Sequence, residues 1–187
     1  MFKDRLETEH LILTKARLSD YKDLYKNYWS QEDTAKYMLW RVCKSEIEAK
    51  EKLSRMLNSQ NSNIIFIVYE KQSQEAIGTA GIREVEPHIF EDAGIGIGNK
   101  FTRKGYGKEI LNCLVSYCFN ELGAQKIICK CDRRNISSSK LQLSCGFNYS
   151  RSEETIKKKD NEKFIADFYE LTKENYLKLN RSHIKNK

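Results

Sequence analysis

Residues 92–122, DAGIGIGNKFTRKGYGKEILNCLVSYCFNEL, place a strand, a glycine turn and a helix in immediate succession. Ile110, Leu111, Leu114, Val115, Cys118 and Leu122 recur at three- and four-residue spacing, which marks one apolar stripe of a helix. Gly123 is placed to cap its end. Upstream, residues 93–98 read as a short strand, and Arg103-Lys104-Gly105-Tyr106-Gly107 as the turn between them. That turn falls at a helix N-terminus, where backbone N–H groups lack intrahelical partners and the helix dipole is positive. Such a place suits an anion, most naturally a phosphate, and glycines let the ligand approach because no Cβ stands in the way. Two plainer readings stand beside this one. The glycines can simply make a tight connection, and Arg103, Lys104 and Lys108 can be a solvated basic face.

The rest of the chain alternates in the same way. Residues 11–14 read as a first strand after a polar lead (Arg5, Glu7, Glu9), and a helix starts at 18–20, capped by Ser19 or Asp20. A short helical stretch is expected over 33–37. A clearer helix over 45–57 opens with a Ser45/Glu48 capping box and carries Ile47, Leu53, Met56 and Leu57 as its apolar face. Residues 64–69 are short and β-branched, hence a buried strand, and 76–84 return as its antiparallel partner. Residues 84–91, with the lone Pro87, read as a loop. A strand over 126–131, a helix over 136–143, a strand opening at Gly146-Phe147, a charged hairpin loop over 151–163 and a last strand over 164–171 follow. No repeat or linker is visible, so the expectation is one αβ domain of mixed sheet over 1–179, with 180–187 a frayed basic tail.

Composition narrows the function. At 187 residues with 40% hydrophobic and 32% charged residues, the chain can bury a core without staples. Its net charge of +7 fits a phosphate-bearing ligand, and no nucleic-acid-binding signature accompanies it, so no nucleic-acid partner is expected. The six cysteines form no CxxC pair and only three histidines are present, so no metal is expected. The absence of an export signal and of an 18-residue apolar run argues for a cytoplasmic protein without membrane contact.

Three stretches in order carry a family resemblance. Asp92-Ala93-Gly94-Ile95-Gly96-Ile97-Gly98 is similar to the central strand, and Arg103 to Gly107 to the pyrophosphate turn, of the GCN5-related N-acetyltransferase (GNAT) superfamily. Asn135, Ser138 and Leu141, with Gly146-Phe147 after them, resemble its second signature, and Tyr169-Glu170-Leu171-Thr172 its end. Within the superfamily, the chain resembles the ribosomal-protein N-terminal (alanine) acetyltransferase branch, over residues 5–178. The resemblance implies a mixed α/β fold whose sheet of about seven mostly antiparallel strands is flanked by helices and splayed at the central, coenzyme-binding strand. It implies acetyl-CoA as co-substrate, a primary amine as acceptor, and the option of a homodimer.

The resemblance also distributes roles. Ile95, Gly96 and Ile97 would run along the pantetheine arm, and Arg103, Lys104, Gly105, Tyr106, Gly107 and Lys108 would hold the pyrophosphate, with Asn135 beside them. Asp92 is the first candidate for the base that frees the amine, with Glu91 next to it. Many superfamily members place a tyrosine, acid for the departing thiolate, where this chain has Gln142. Ser138 stands where the resembled branch uses a serine. Asn135 has a plain alternative as a helix N-cap. Trp29, Tyr37 and Trp40 are candidates for the acceptor pocket, although aromatic residues at this spacing are commonly core. An acyl-CoA-binding domain of this fold that has lost transfer is the alternative.

Overall fold

The structure, a computed structural model, describes residues 3–58, 63–157 and 159–185. The chain opens with strands β1 (Arg5–Glu7) and β2 (Leu11–Lys15). A 3-10 turn (Leu18–Asp20), helix α1 (Tyr21–Leu24), a π turn (Tyr25–Trp29) and helix α2 (Glu32–Ala35) follow, then α3 (Glu46–Asn58). Strands β3 (Asn63–Glu70), β4 (Ala76–Glu86) and β5 (Ile89–Ile97) lead into α4 (Tyr106–Asn120). Strand β6 (Lys126–Asp132), helix α5 (Ile136–Ser144), strands β7 (Asn148–Lys157) and β8 (Glu162–Thr172) and helix α6 (Lys173–Lys185) complete it. The eight strands form one sheet in the order β1-β2-β3-β4-β5-β6-β8-β7. Every neighbouring pair is antiparallel except β5 and β6.

Each sheet face buries its own cluster. On one face α4 lays Ile110, Leu111, Leu114, Val115 and Cys118 against Phe66, Ala80, Ile82, Phe90, Ile127 and Cys129. On the other, Leu24, Tyr28, Trp29, Ala49 and Leu53 cover Ile67 and Ala76. The stripe read from the sequence is therefore the packing face of α4. Burying one such aliphatic side chain is worth about 1.5–3 kcal/mol, so this helix anchors the sheet. Gly123 takes the left-handed conformation (φ 71°) expected of a residue that ends it.

Several expectations change. Residues 84–91 are not a loop. β4 and β5 run almost to Pro87 and His88, and His88 adopts φ 63°, which closes the hairpin in two residues. The central strand thus begins at Ile89 rather than at Ala93. Residues 151–163 are mostly paired strand, because Lys157 and Glu162 are already in register and only the turn between them is left. The polar lead forms β1, and residues 180–185 continue α6. Half of the expected capping box of α3 forms: Ser45 Oγ accepts from the Glu48 N–H at 3.2 Å, whereas the Glu48 carboxylate accepts from the Lys44 N–H rather than from that of Ser45. Its apolar face is rotated, however: Ile47 is 71% and Leu57 44% exposed, whereas Ala49 and Leu53 are buried. Asp20 lies inside its helical segment and accepts from the Arg17 N–H at 2.7 Å.

Candidate active site

The site begins where the parallel pair comes apart. β5 and β6 are in register only at Ile89/Lys126, Phe90/Ile127 and Glu91/Ile128. Beyond that point β5 stays with β4, from Asp92/Ile82 to Ile97/Gly78, and β6 stays with β8, from Cys129/Tyr169 to Asp132/Ala166. The β6-facing backbone edge of β5 is thereby released over residues 92–97, and free strand edges accept extended ligands. A bulge marks the parting. Asp92 pairs with Ile82 and Gly94 with Gly81, which leaves Ala93 as the extra residue. Asp92 Oδ1 accepts from the Gly94 N–H at 2.7 Å, and Gly94 sits at φ 111°.

Downstream, the glycine turn ends at the N-terminus of α4. Gly105 (φ 83°) is its N-cap, and Arg103 shares the left-handed conformation at φ 62°. The first helical bond runs from the Glu109 N–H to the Gly105 carbonyl at 3.1 Å. Among the described residues, no hydrogen bond occupies the amides of residues 103–108, which leaves them available as donors. Side chains around them divide the work. Tyr106 is buried and donates to Glu70 at 2.7 Å, and Lys104 donates to the same carboxylate at 3.0 Å. Burial raises the Glu70 pKa, but these two donors outweigh it and hold the group below its ordinary value. Lys104 and Tyr106 therefore pin the turn, whereas Arg103 and Lys108 are exposed. A Cβ on Gly105 would meet nothing within 4 Å, and one on Gly107 only Leu141 at 3.4 Å.

Glu91 and Asp92, consecutive on β5, face opposite sides of the sheet. Glu91 is bound by Arg83 and, at 2.7 Å, by Lys130. Burial raises its pKa, but the Lys130 and Arg83 contacts dominate and keep it low. Asp92 instead turns toward α4, where it lines a small apolar cavity with Leu111, Leu114, Val115, Cys118 and Cys129. Burial there pushes its carboxyl up to about 6, against the lowering effect of the Gly94 N–H. Two positions along β6, Cys131 meets Ser138. Asp92 and Ser138 thus lie beside Cys129 and Cys131 on one face of β6.

Asn135 caps α5, its side chain accepting from the Ser138 N–H at 3.2 Å. Gln142 donates to Ser138 Oγ at 3.2 Å, and its buried Oε1 has no hydrogen-bond partner among the described residues. Of the aromatic candidates, Trp29 lies within the core at 1% exposure, whereas Tyr37 and Trp40 are half-buried. Gly96 lies under Tyr28: a Cβ there would fall 2.0 Å from the Tyr28 hydroxyl and 2.6 Å from Met38 Cε. Glu70, Tyr28, Arg83 and Lys130 went unread in the sequence because their roles arise from contacts across strands.

A parted parallel strand pair, with free amides at the adjoining helix N-terminus, defines a fold of the acyl-coenzyme-dependent acetyltransferase class and marks the candidate site. The partnerless Gln142 oxygen, the space over Gly94 and Gly105, and the unbonded amides all fit a pyrophosphate and an amide-bearing arm. The chain belongs to the GNAT family of acetyltransferases: residues 10–148 match the profile described as "Acetyltransferase (GNAT) domain". It is 28% identical over 147 residues to the "Uncharacterized N-acetyltransferase p20" of Bacillus licheniformis, covering 77% of this chain and 82% of that one. The fold matches a spermidine N-acetyltransferase from Vibrio cholerae solved with CoA and spermine (TM-score 0.72, 19% identity, 91% and 99% of the two chains). It equally matches a ribosomal-protein-S5-alanine acetyltransferase from Vibrio fischeri (TM-score 0.74, 17% identity, 90% and 96%). The protein is an acetyl-CoA-dependent acetyltransferase.

Proposed function

We propose that the protein acetylates a primary amine, either a peptide N-terminus or a small-molecule amine, by direct attack at the opening between β5 and β6. The observation that carries this reading is the release of the β5 edge next to the open amides of residues 103–108. Those amides, with Arg103 and Lys108, would hold the pyrophosphate, and the backbone of Ile95, Gly96 and Ile97 the pantetheine arm. Acetyl-CoA supplies an activated thioester, so the amine nitrogen bonds to the carbonyl carbon while the C–S bond breaks and the electron pair leaves on sulfur.

The chain's own part is to manage protons and charge. An amine attacks only when neutral, so a base must take its proton. Asp92 is the more basic of the two carboxylates at the opening and would accept it through water. Strand N–H groups would polarise the thioester carbonyl. Ser138, held by Asn135 and Gln142, would supply the hydroxyl near the departing sulfur, since Gln142 is a poor acid. The two fold neighbours act on quite different amines by their names, so the shared fold leaves the acceptor to local chemistry.

The test is incubation of acetyl-CoA with a panel of peptides and small amines, with CoA release and acetylated product followed together by mass spectrometry. Stoichiometric product supports the reading. Saturable acetyl-CoA binding without product for any amine would favour the binding-only alternative, which the Gln142 substitution keeps in view.

A further inference from the structure

We infer that the acceptor carries an anionic tail, received by the cleft between α3 and residues 40–43. This deepens the acetyltransferase reading and rests on it. A cleft of about 520 Å³ opens on the face away from α4, with Trp40, Arg41, Lys52, Arg55 and Ile65 in its wall. Its floor at Ile65 lies beside the β5 bulge, on the sheet face opposite the Asp92 side chain. Ile65 pairs with Gly81, and Gly81 with Gly94 at the β5 bulge. A Cβ on Gly81 would lie 3.2 Å from Ala93 Cβ and 3.4 Å from Ile65 Cγ1, so only a glycine's width separates the cleft floor from the bulge. The opposite wall makes the same connection. Trp40 stands edge-on to Tyr28 at 5.1 Å, and the Tyr28 hydroxyl lies against Gly96.

The charges in this cleft do not balance. Three cations, Arg41, Lys52 and Arg55, line it with two carboxylates, Glu48 and Glu51. Glu48 accepts from the neutral Lys44 N–H at 2.8 Å and keeps its charge, so with Glu51 counted the lining carries one positive charge in excess. Arg41 bonds a neutral group, the Lys159 carbonyl, which leaves its charge uncompensated. Lys159 in turn donates to the Ala35 carbonyl at 2.7 Å, again a neutral acceptor. Among the described residues, no carboxylate pairs with Lys52 or Arg55. The Lys52 ammonium is buried with no hydrogen-bond acceptor among the described residues, 3.7 Å from the Trp40 ring and 4.6 Å from the Trp29 ring.

Aromatic faces recover part of an ammonium's lost hydration, but they accept no N–H bond in place of water. Burial accordingly lowers Lys52 to about 8. A carboxylate or phosphate in the cleft supplies the missing acceptor once the flexible lysine stem turns toward it, and Arg41 and Arg55 reinforce the contact. A polycationic acceptor would meet the same excess charge as repulsion.

Trp29 and Trp40 are the only two tryptophans in the chain, so intrinsic fluorescence reports on this cleft without any reaction. Citrate and spermine serve as probes at matched ionic strength. The expectation is a saturable emission change with citrate and none with spermine, the citrate midpoint weakening about tenfold or more in Lys52→Met/Arg55→Gln. In the kinetic arm, Ser-Glu-Glu should exceed Ser-Lys-Lys in kcat/KM by about tenfold, mostly through KM, and the double variant should erase the difference. Absence of a citrate response, a preference for Ser-Lys-Lys, or a preference unchanged in the variant would overturn the proposal. Citrate binding with no amine acetylated would uphold the anionic cleft and sink the acetyl-transfer reading. Acetylation blind to charge would do the reverse.

Discussion

Replacing Asp92 by asparagine should stabilise the folded protein at high pH and disable it at the same time. The side chain lies among Leu111, Leu114, Val115 and Cys129, and burial raises its carboxyl from 3.8 to about 6. Between those two values the folded state keeps a proton that the unfolded state has lost, so stability falls as pH rises through the window. A rise of about two units at ~1.4 kcal/mol each makes the ionised carboxylate destabilising by about 3 kcal/mol above pH 6. Asparagine keeps the oxygen that accepts from the Gly94 N–H but cannot ionise. Its amide must find a partner, which costs about 1–3 kcal/mol at any pH. Comparison across pH removes that constant. Relative to wild type, the variant should gain about 2 kcal/mol between roughly pH 4.5 and pH 8, a shift of about 4–8 °C in Tm. Urea unfolding at both pH values measures it. A pH-independent difference would refute the enclosure of Asp92. In the same variant kcat/KM should lose its acid limb near pH 6 and fall to a low plateau.

Other parts of the fold give sharper contrasts. Asp132→Asn should cost about 1–2 kcal/mol in urea unfolding, because Lys157, 1% exposed, loses its buried partner at 3.0 Å and keeps only the half-exposed Glu162 at 2.9 Å. Adding Lys157→Met should recover much of the loss. Gly96→Ala should destabilise by about 1–3 kcal/mol through the collision with Tyr28 and Met38, measured as Tm. Gly105→Ala, with open space but φ 83°, should cost only about 1 kcal/mol by the same assay. Arg103→Ala and Lys108→Ala should each raise KM for acetyl-CoA about two- to fivefold, more at low salt. Lys104→Ala should instead lower Tm, since its charge belongs to Glu70.

What the sequence disclosed follows the range of the forces involved. Helix α4 and strand β6 were legible because periodicity is a local property, and the Gly105 turn because a left-handed N-cap needs glycine. The start of β5 was hidden by Pro87, which reads as a loop signal until His88 closes the turn. Within the β7–β8 ribbon, residues 151–163 looked like loop because Ile156 is their one apolar residue among charged and polar ones. It is held instead by long-range pairs such as Arg133 with Asp167 and Lys157 with Asp132. Helix α3 offered Ile47 and Leu57 as core, yet the sheet below accepts the Ala49 and Leu53 side. In the candidate site, the glycine turn and the α5 cap could be placed from the sequence, and the side chains that anchor them could not. Nothing local marks Glu70 as the acceptor for Lys104 and Tyr106, 34 and 36 residues away.

The two adjacent acids show how a strand's period of two becomes chemistry. Glu91 and Asp92 differ by one residue and so point to opposite faces. On one face, Lys130 and Arg83 hold Glu91 as a permanent anion with little appetite for a proton. On the other, burial among apolar neighbours raises the Asp92 carboxyl to about 6, which would suit the proposed role of base near neutral pH. Lys130→Met tests this division directly. It should raise the pKa of Glu91 by removing its strongest lowering contact, while Asp92, for which Lys130 is the last and weakest influence, should hardly move. An acid limb of kcat/KM that stays near pH 6 in Lys130→Met and vanishes in Asp92→Asn assigns the proton to Asp92. A limb that climbs with Lys130→Met assigns it to Glu91, and the bulge carboxylate is then only the brace that holds Gly94 in its turn.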